Sequence, residues 1–251
     1  MRIEAESLRW GVPAKTIIDD IAVSVGTGEV LGLVGPNGSG KSSLLRCLAG
    51  LRKPSGGTVR YDGADIAGWD SSRIARRVAF VDQYAVTESD LLVVDVVALG
   101  RTPFRTSWRG HDHHDTAVVN AALDRMGLTE LRARPWKTLS GGEHQRTHIA
   151  RALAQEPSAI LLDEPTNHLD IRHQLELMRL LAAAEQTAVV VLHDLSLAAR
   201  FCDRLALMHH GRLVASGPPC EVLTPARIQE VFGVEAEVGP DRGGDVRIHY
   251  R

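Results

Sequence analysis

At 251 residues, 44% hydrophobic and 24% charged, the chain has the length and composition of one large globular domain. A formal net charge of −2 gives no basic field for nucleic acid, and 4% aromatic residues give no surface for stacking single strands. Cys47, Cys202 and Cys220 are odd in number and show no CxxC or Cys/His spacing, which argues against a disulfide framework or a zinc site and fits a reducing cytosol. The opening "MRIEAESLRW" has no apolar signal-peptide core, and no apolar run approaches the ~20 residues of a membrane span. Any membrane role is expected to run through a partner chain.

In chain order, "RIEAESLRW" and "DIAVSV" alternate apolar and polar residues and predict half-exposed strands. "EVLGLVG" is continuously apolar and predicts a buried strand. It leads into a glycine turn and the helix "GKSSLLRCLAG", closed by Gly50. "TVRY" and "RVAFV" predict two further short strands. From about Tyr84 to Gln155 the spacing turns helical, in "VVDVVALG", "DTAVVNAALDRMG" and "GEHQRTHIARALAQ". Strands return at "AILLD" and "TAVVVLHD", with the helix "LDIRHQLELMRLLAAAEQ" between them. This alternation predicts an α/β core with a largely parallel sheet. The last stretch, with Pro218, Pro219 and Pro225, is expected to be an appendage with one short helix, "PARIQEVFG".

Chemistry concentrates at a few places. Gly35, Pro36, Asn37, Gly38, Ser39, Gly40, Lys41 and Ser42 match G-x-x-x-x-G-K-[ST] between a buried strand and a helix. The glycines turn backbone N–H groups toward phosphate, Lys41 reaches the outer phosphates, and the Ser42 hydroxyl suits Mg²⁺. Ser43 is placed to touch the α-phosphate. Some 120 residues on, a buried strand ends in Asp163 and Glu164. Asp163 suits Mg²⁺ through water, and Glu164 is a candidate to orient or deprotonate an attacking water. His193 ends the next strand, where side chains face the ligand crevice, and is a candidate γ-phosphate contact. "LSGGEHQR" offers a second anion-binding turn at a helix N-terminus.

Together, "GPNGSGKSS", Gln83, "LSGGEHQR", "LLDEPTNHLD" and "VLHD", in this order, resemble the nucleotide-binding subunits of ATP-binding-cassette (ABC) proteins, over essentially the whole chain. The resemblance implies a P-loop NTPase core, a RecA-like parallel sheet with an antiparallel β subdomain, carrying a helical insertion. It implies one domain over 1–251: a nucleotide-binding core at 1–86 and 156–215, a helical subdomain at 87–155, and a C-terminal appendage at 216–251. ATP and Mg²⁺ are the implied cofactors, with Ser42, Gln83 and Asp163 at the metal and Gln83, Glu164 and His193 in catalysis. The resemblance also explains the second turn. Two copies pair head to tail, and Ser140, Gly141 and Gly142 bind the partner's ATP. Asp170 matches the loop that crosses this interface, and Trp10 matches the adenine-stacking position.

A single cassette without a membrane span implies separate permease chains and, indirectly, a substrate-binding protein, with the chain on the cytoplasmic face of the membrane. "DVVALGRTPF" and "TNHLDIRHQLELM" resemble the ATPases of ferric-siderophore, haem and cobalamin importers. The surface 83–109 is the expected permease-docking site. A soluble ABC ATPase of iron–sulfur assembly and an exporter ATPase remain open. "HDHHD" at 111–115 and the pair His144 and His148 look like metal tracts, but a solvated loop and a helix face are the expected readings.

Overall fold

The alternating segments at the N-terminus pair with each other as β1 (Ile3–Val12) and β2 (Lys15–Val25), an antiparallel hairpin. The computed structural model describes residues 1–82, 90–104, 113–167, 169–240 and 246–251. Strand β3 (Val30–Val34) is buried at every position and runs into α1 (Lys41–Leu48), after which Gly50 turns the chain at φ 69°. Strands β4 (Gly56–Tyr61) and β5 (Ala64–Asp65) extend the first sheet in the order β2-β1-β4-β5. The short helix α2 (Ser71–Ala75) leads to β6 (Val78–Val81).

The helical stretch follows as α3 (Val93–Ala98), α4 (His113–Arg125) and α5 (Gly141–Ala154), with 3-10 turns between. Then come β7 (Ala159–Asp163), α6 (Ile171–Ala182), β8 (Thr187–Val191), α7 (Leu195–Phe201), β9 (Arg204–His209) and β10 (Arg212–Gly217). The second sheet has the order β10-β9-β3-β8-β7-β6, parallel except for β10 against β9.

The continuously apolar strands are explained by this sheet having both faces covered. Period-two alternation splits them cleanly. Val30, Ile160, Leu162, Ala188, Val190, Leu205 and Leu207 join the core with α3 to α7. Leu31, Leu33, Leu161, Val189, Val191, Ala206 and Met208 join the other core, with α1 and the antiparallel sheet. The chain is α/β, as expected. Among the described residues, no helix is long and apolar enough to cross a membrane.

Two expectations need correction. The C-terminal stretch holds more than one short helix: α8 (Pro219–Val222), α9 (Pro225–Phe232) and a hairpin of β11 (Ala236–Pro240) and β12 (Val246–Tyr250). Val222, Leu223, Ile228, Val231 and Ile248 belong to the same core cluster as the central sheet. The second concerns Arg101 alone, within the expected docking surface 83–109, of which 83–89 and 105–109 lie outside the described residues. Arg101 is 3% exposed. Its guanidinium pairs with Asp115 and Glu156, each at 2.7 Å, donates to the Ala154 carbonyl at 2.9 Å, and lies 4.3 Å from the Phe104 ring centroid. It is an internal clamp and cannot present to a partner.

Arg101→Ala should therefore destabilise the chain by about 3 kcal/mol, because it strands a buried carbonyl and an inward-facing carboxylate. Glu156→Ala should cost far less, since Glu156 is 48% exposed. Urea unfolding of both variants checks the contrast.

Candidate nucleotide site

The loop after β3 is a backbone mould pressed between both sheets. Gly35 has φ 146°, and a Cβ there would lie 2.1 Å from the Met208 carbonyl oxygen of β9. Gly40 has φ 100°, and a Cβ there would lie 2.9 Å from the Ile17 oxygen of β2. Only glycine combines these angles with such close approach. The turn after β9 closes the mould: Gly211 N–H donates to Ser39 O at 3.1 Å, and Asp19 N–H donates to Gly211 O at 2.9 Å.

Lys41 opens α1 and is 5% exposed. Its ammonium donates to the carbonyls of Gly35 at 2.8 Å and Pro36 at 3.0 Å. Burial lowers its pKa, against the opposing pull of Glu164 and Asp163. A cation held out of water on a glycine-rich loop at a helix start has the chemistry to receive phosphate.

The Ser42 hydroxyl donates to Asp163 Oδ1 at 2.8 Å, across 121 positions of sequence. Asp163 ends β7 at 1% exposure, and burial raises its pKa, opposed by the Ser42 hydrogen bond and by Arg46. A hydroxyl and a buried carboxylate side by side are hard oxygen donors, which fits Mg²⁺. Glu164 leaves the strand at φ 51°, a left-handed turn that costs a non-glycine residue about 1–2 kcal/mol. Its Oε1 lies 2.6 Å from His193 Nε2, and its Oε2 accepts from Asn167 Nδ2 at 2.7 Å. Because β3, β8 and β7 are neighbours, the loop, His193 and Glu164 meet at adjacent carboxyl ends. A cleft of about 470 Å³ lies there, lined by Asn37, Gly38, Gly40, Lys41, Ser42, Ser43 and Glu164, and by Lys15–Ile17, His210 and Gly211.

Other expected residues lie apart from this cleft. Trp10 is half-buried in β1, outside the cleft lining, and the Arg52 guanidinium sits 4.2 Å from its ring centroid. Ser140 caps α5, and its hydroxyl accepts from the Glu143 N–H at 3.3 Å. Glu143 reaches back to the Ser140 N–H at 2.7 Å, so it completes a capping box. Gly141 is exposed and Gly142 half-buried beside it. Asp170 caps α6. Gln83 lies outside the described residues.

Sequence reading missed Arg46, Asn167 and His210. Arg46 follows Ser42 by one helical turn and pairs with Asp82 at 2.9 Å and Asp163 at 3.5 Å; the i, i+4 spacing was the available signal. His144 and His148 pack on Trp136, at centroid distances of 4.2 and 4.9 Å, which is a structural role. His114 lies 3.3 Å from Glu156, and among the described residues no cluster of three metal-ligating side chains occurs.

A site that takes phosphates on a glycine loop and sets a carboxylate beside them is that of a P-loop ATPase. More narrowly, the chain belongs to the ABC transporter family, whose pattern matches residues 18–167. It is 44% identical over 245 residues to a cobalamin import ATP-binding protein of Halobacterium salinarum, covering 96% of this chain and 61% of that protein. The chain thus spans less than two thirds of that relative. It is 41% identical over 246 residues to a hemin import ATP-binding protein of Pseudomonas entomophila, covering 95% of each. Among solved structures, an inward-facing ABC transporter described as of metal-chelate type superposes with a TM-score of 0.83 at 26% identity, covering 99% of this chain and 96% of the other.

Proposed function

We propose that the chain is the ATP-hydrolysing subunit of an importer. It energises uptake of a metal chelate, an iron siderophore, haem or cobalamin, through separate permease chains at the cytoplasmic face of the membrane. The observation that carries ATP hydrolysis is the meeting of Lys41, the Ser42–Asp163 pair and the Glu164–His193 pair at neighbouring strand ends. The cargo class is supported by relatives named for cobalamin and hemin import.

On binding, the Lys41 ammonium exchanges the Gly35 and Pro36 carbonyls for the outer phosphates, while loop N–H groups hold the rest of the chain of phosphates. Ser42 and Asp163 would hold Mg²⁺, with Gln83 as a further ligand, and the ion would supply neutralisation of phosphate charge. Glu164 orients a water whose oxygen bonds the γ-phosphorus as the bond to the bridging oxygen of ADP breaks, and Glu164 takes the proton. His193 holds Glu164 and contacts the γ-phosphate. Trp10 is the adenine-stacking residue of this reading. A second copy of the chain contributes Ser140, Gly141, Gly142 and Asp170, so hydrolysis removes the phosphate that bridges the two copies.

The test is uptake in a deletion strain of the source organism, with labelled ferric siderophore, haem and cobalamin compared. Loss of one uptake, restored by the wild-type gene and not by Glu164→Gln, is the expected result. Unchanged uptake of all three would overturn the importer reading and leave the ATPase site standing.

A further inference from the structure

The two helix starts assigned to the partner-facing edge, Ser140 on α5 and Asp170 on α6, are tied together by side chains. Asp170 Oδ1 accepts from the His173 backbone N–H at 2.9 Å and from His173 Nδ1 at 2.8 Å. On the far side of the ring, His173 Nε2 is bonded to Arg146 Nη1 of α5. A carboxylate can only accept and a guanidinium can only donate. The ring hydrogen therefore sits on Nδ1, and Nε2 offers its lone pair, the one tautomer that serves both neighbours.

The surroundings support a dedicated link. Arg146, Arg172, His173 and Glu176 help line a cleft of about 420 Å³ where the end of α4, α5 and α6 meet. Arg172 is already engaged with Glu176 at 2.8 Å, so it does not compete for the ring. Arg146 Nε is buried with no hydrogen-bond partner among the described residues. Both contacts to Asp170 use Oδ1, and its side chain stays 65% exposed, which leaves Oδ2 for a partner. Its pKa is held low, first by the His173 backbone N–H.

The geometry points to His173 as a positioning residue that locks the Asp170 loop to α5 through Arg146, so that Ser140 and Asp170 meet the second copy as one rigid edge. This rests on the proposal above that a second copy completes the nucleotide site.

The test uses the full chain in a Glu164→Gln background. Dimerisation with ATP is read by size exclusion with light scattering, single-copy ATP affinity by titration, and folding by thermal melting. His173→Ala should raise the ATP concentration for half-dimerisation about tenfold, with ATP affinity and melting temperature unchanged. His173→Asn keeps a donor for Asp170 but is too short to reach Arg146, and it should stay defective. Arg146→Ala should give the same loss, and the Arg146→Ala, His173→Ala pair no greater loss than either alone. Parental dimerisation in His173→Ala or Arg146→Ala, recovery in His173→Asn, or a melting-temperature drop that parallels the defect would overturn the assignment. A Glu164→Gln parent that stays monomeric with ATP would refute the second-copy reading itself, and this inference with it.

Discussion

Glu164→Gln should lower ATP turnover by about 10²- to 10⁴-fold, the usual contribution of a positioned general base. The substitution is nearly isosteric, so the turn at φ 51° and the packing around it should survive. What disappears is the charge. An amide cannot take the proton of an attacking water, and it offers one acceptor where the carboxylate served both His193 and Asn167. Lys41, Ser42 and the loop N–H groups are untouched, so ATP affinity should stay within about threefold, about 0.7 kcal/mol. ATP bound but not consumed should hold two copies together on a sizing column. Phosphate release at the wild-type rate would mean that another group positions the water.

Lys41→Ala should act on the other half of the site and weaken ATP binding about 10²-fold. The lost contacts are charge-assisted bonds to phosphate, worth about 3 kcal/mol, and each 1.4 kcal/mol is about tenfold. The defect should not come from unfolding. Burial depresses the Lys41 pKa. The unfolded chain therefore binds the extra proton between that depressed value and lysine's ordinary 10.5, and apo stability rises with pH across this window. Below this window the fold carries the full cost of a charged, buried ammonium, and removing it relieves that cost. Titration of a fluorescent nucleotide, alongside thermal melting at pH 7, separates the two effects. Affinity near that of the wild type would sink the assignment of Lys41 to the phosphates.

The α/β core and much of the site were legible in the sequence because each feature is local. A glycine pattern, a five-residue apolar strand and a pair of acids each leave a mark within a few positions. Ser42 and Asp163 could be assigned to one ion from their separate motifs, and the fold does place them 2.8 Å apart. What stayed hidden depends on contacts between distant segments. Arg101 reads as a surface arginine until Asp115 and Glu156 close on it. The β11–β12 hairpin has one face on the core and one in water, and its strands are too short to announce themselves. His210 carries no motif; it reaches the cleft because the β9–β10 turn is pinned to Ser39. Glu143 carries no mark in the sequence beyond its place three residues after Ser140, where it completes the capping box.

The order of the central sheet also bears on how the protein is made. Strand β3 lies between β8 and β9, and 173 positions separate Val30 from Asp203, whose carboxylate caps its N–H. At a ribosomal pace of about 5–20 residues per second, β3 and its glycine loop wait roughly ten to thirty seconds with both edges unpaired. An apolar strand in that state is a template for misassociation, and pairing this remote is intrinsically slow. The nucleotide loop is thus synthesised long before it can become a binding surface. Nascent chains that stop short of β9 should need chaperone cover, and ATP can reward folding only after β9 has left the ribosome.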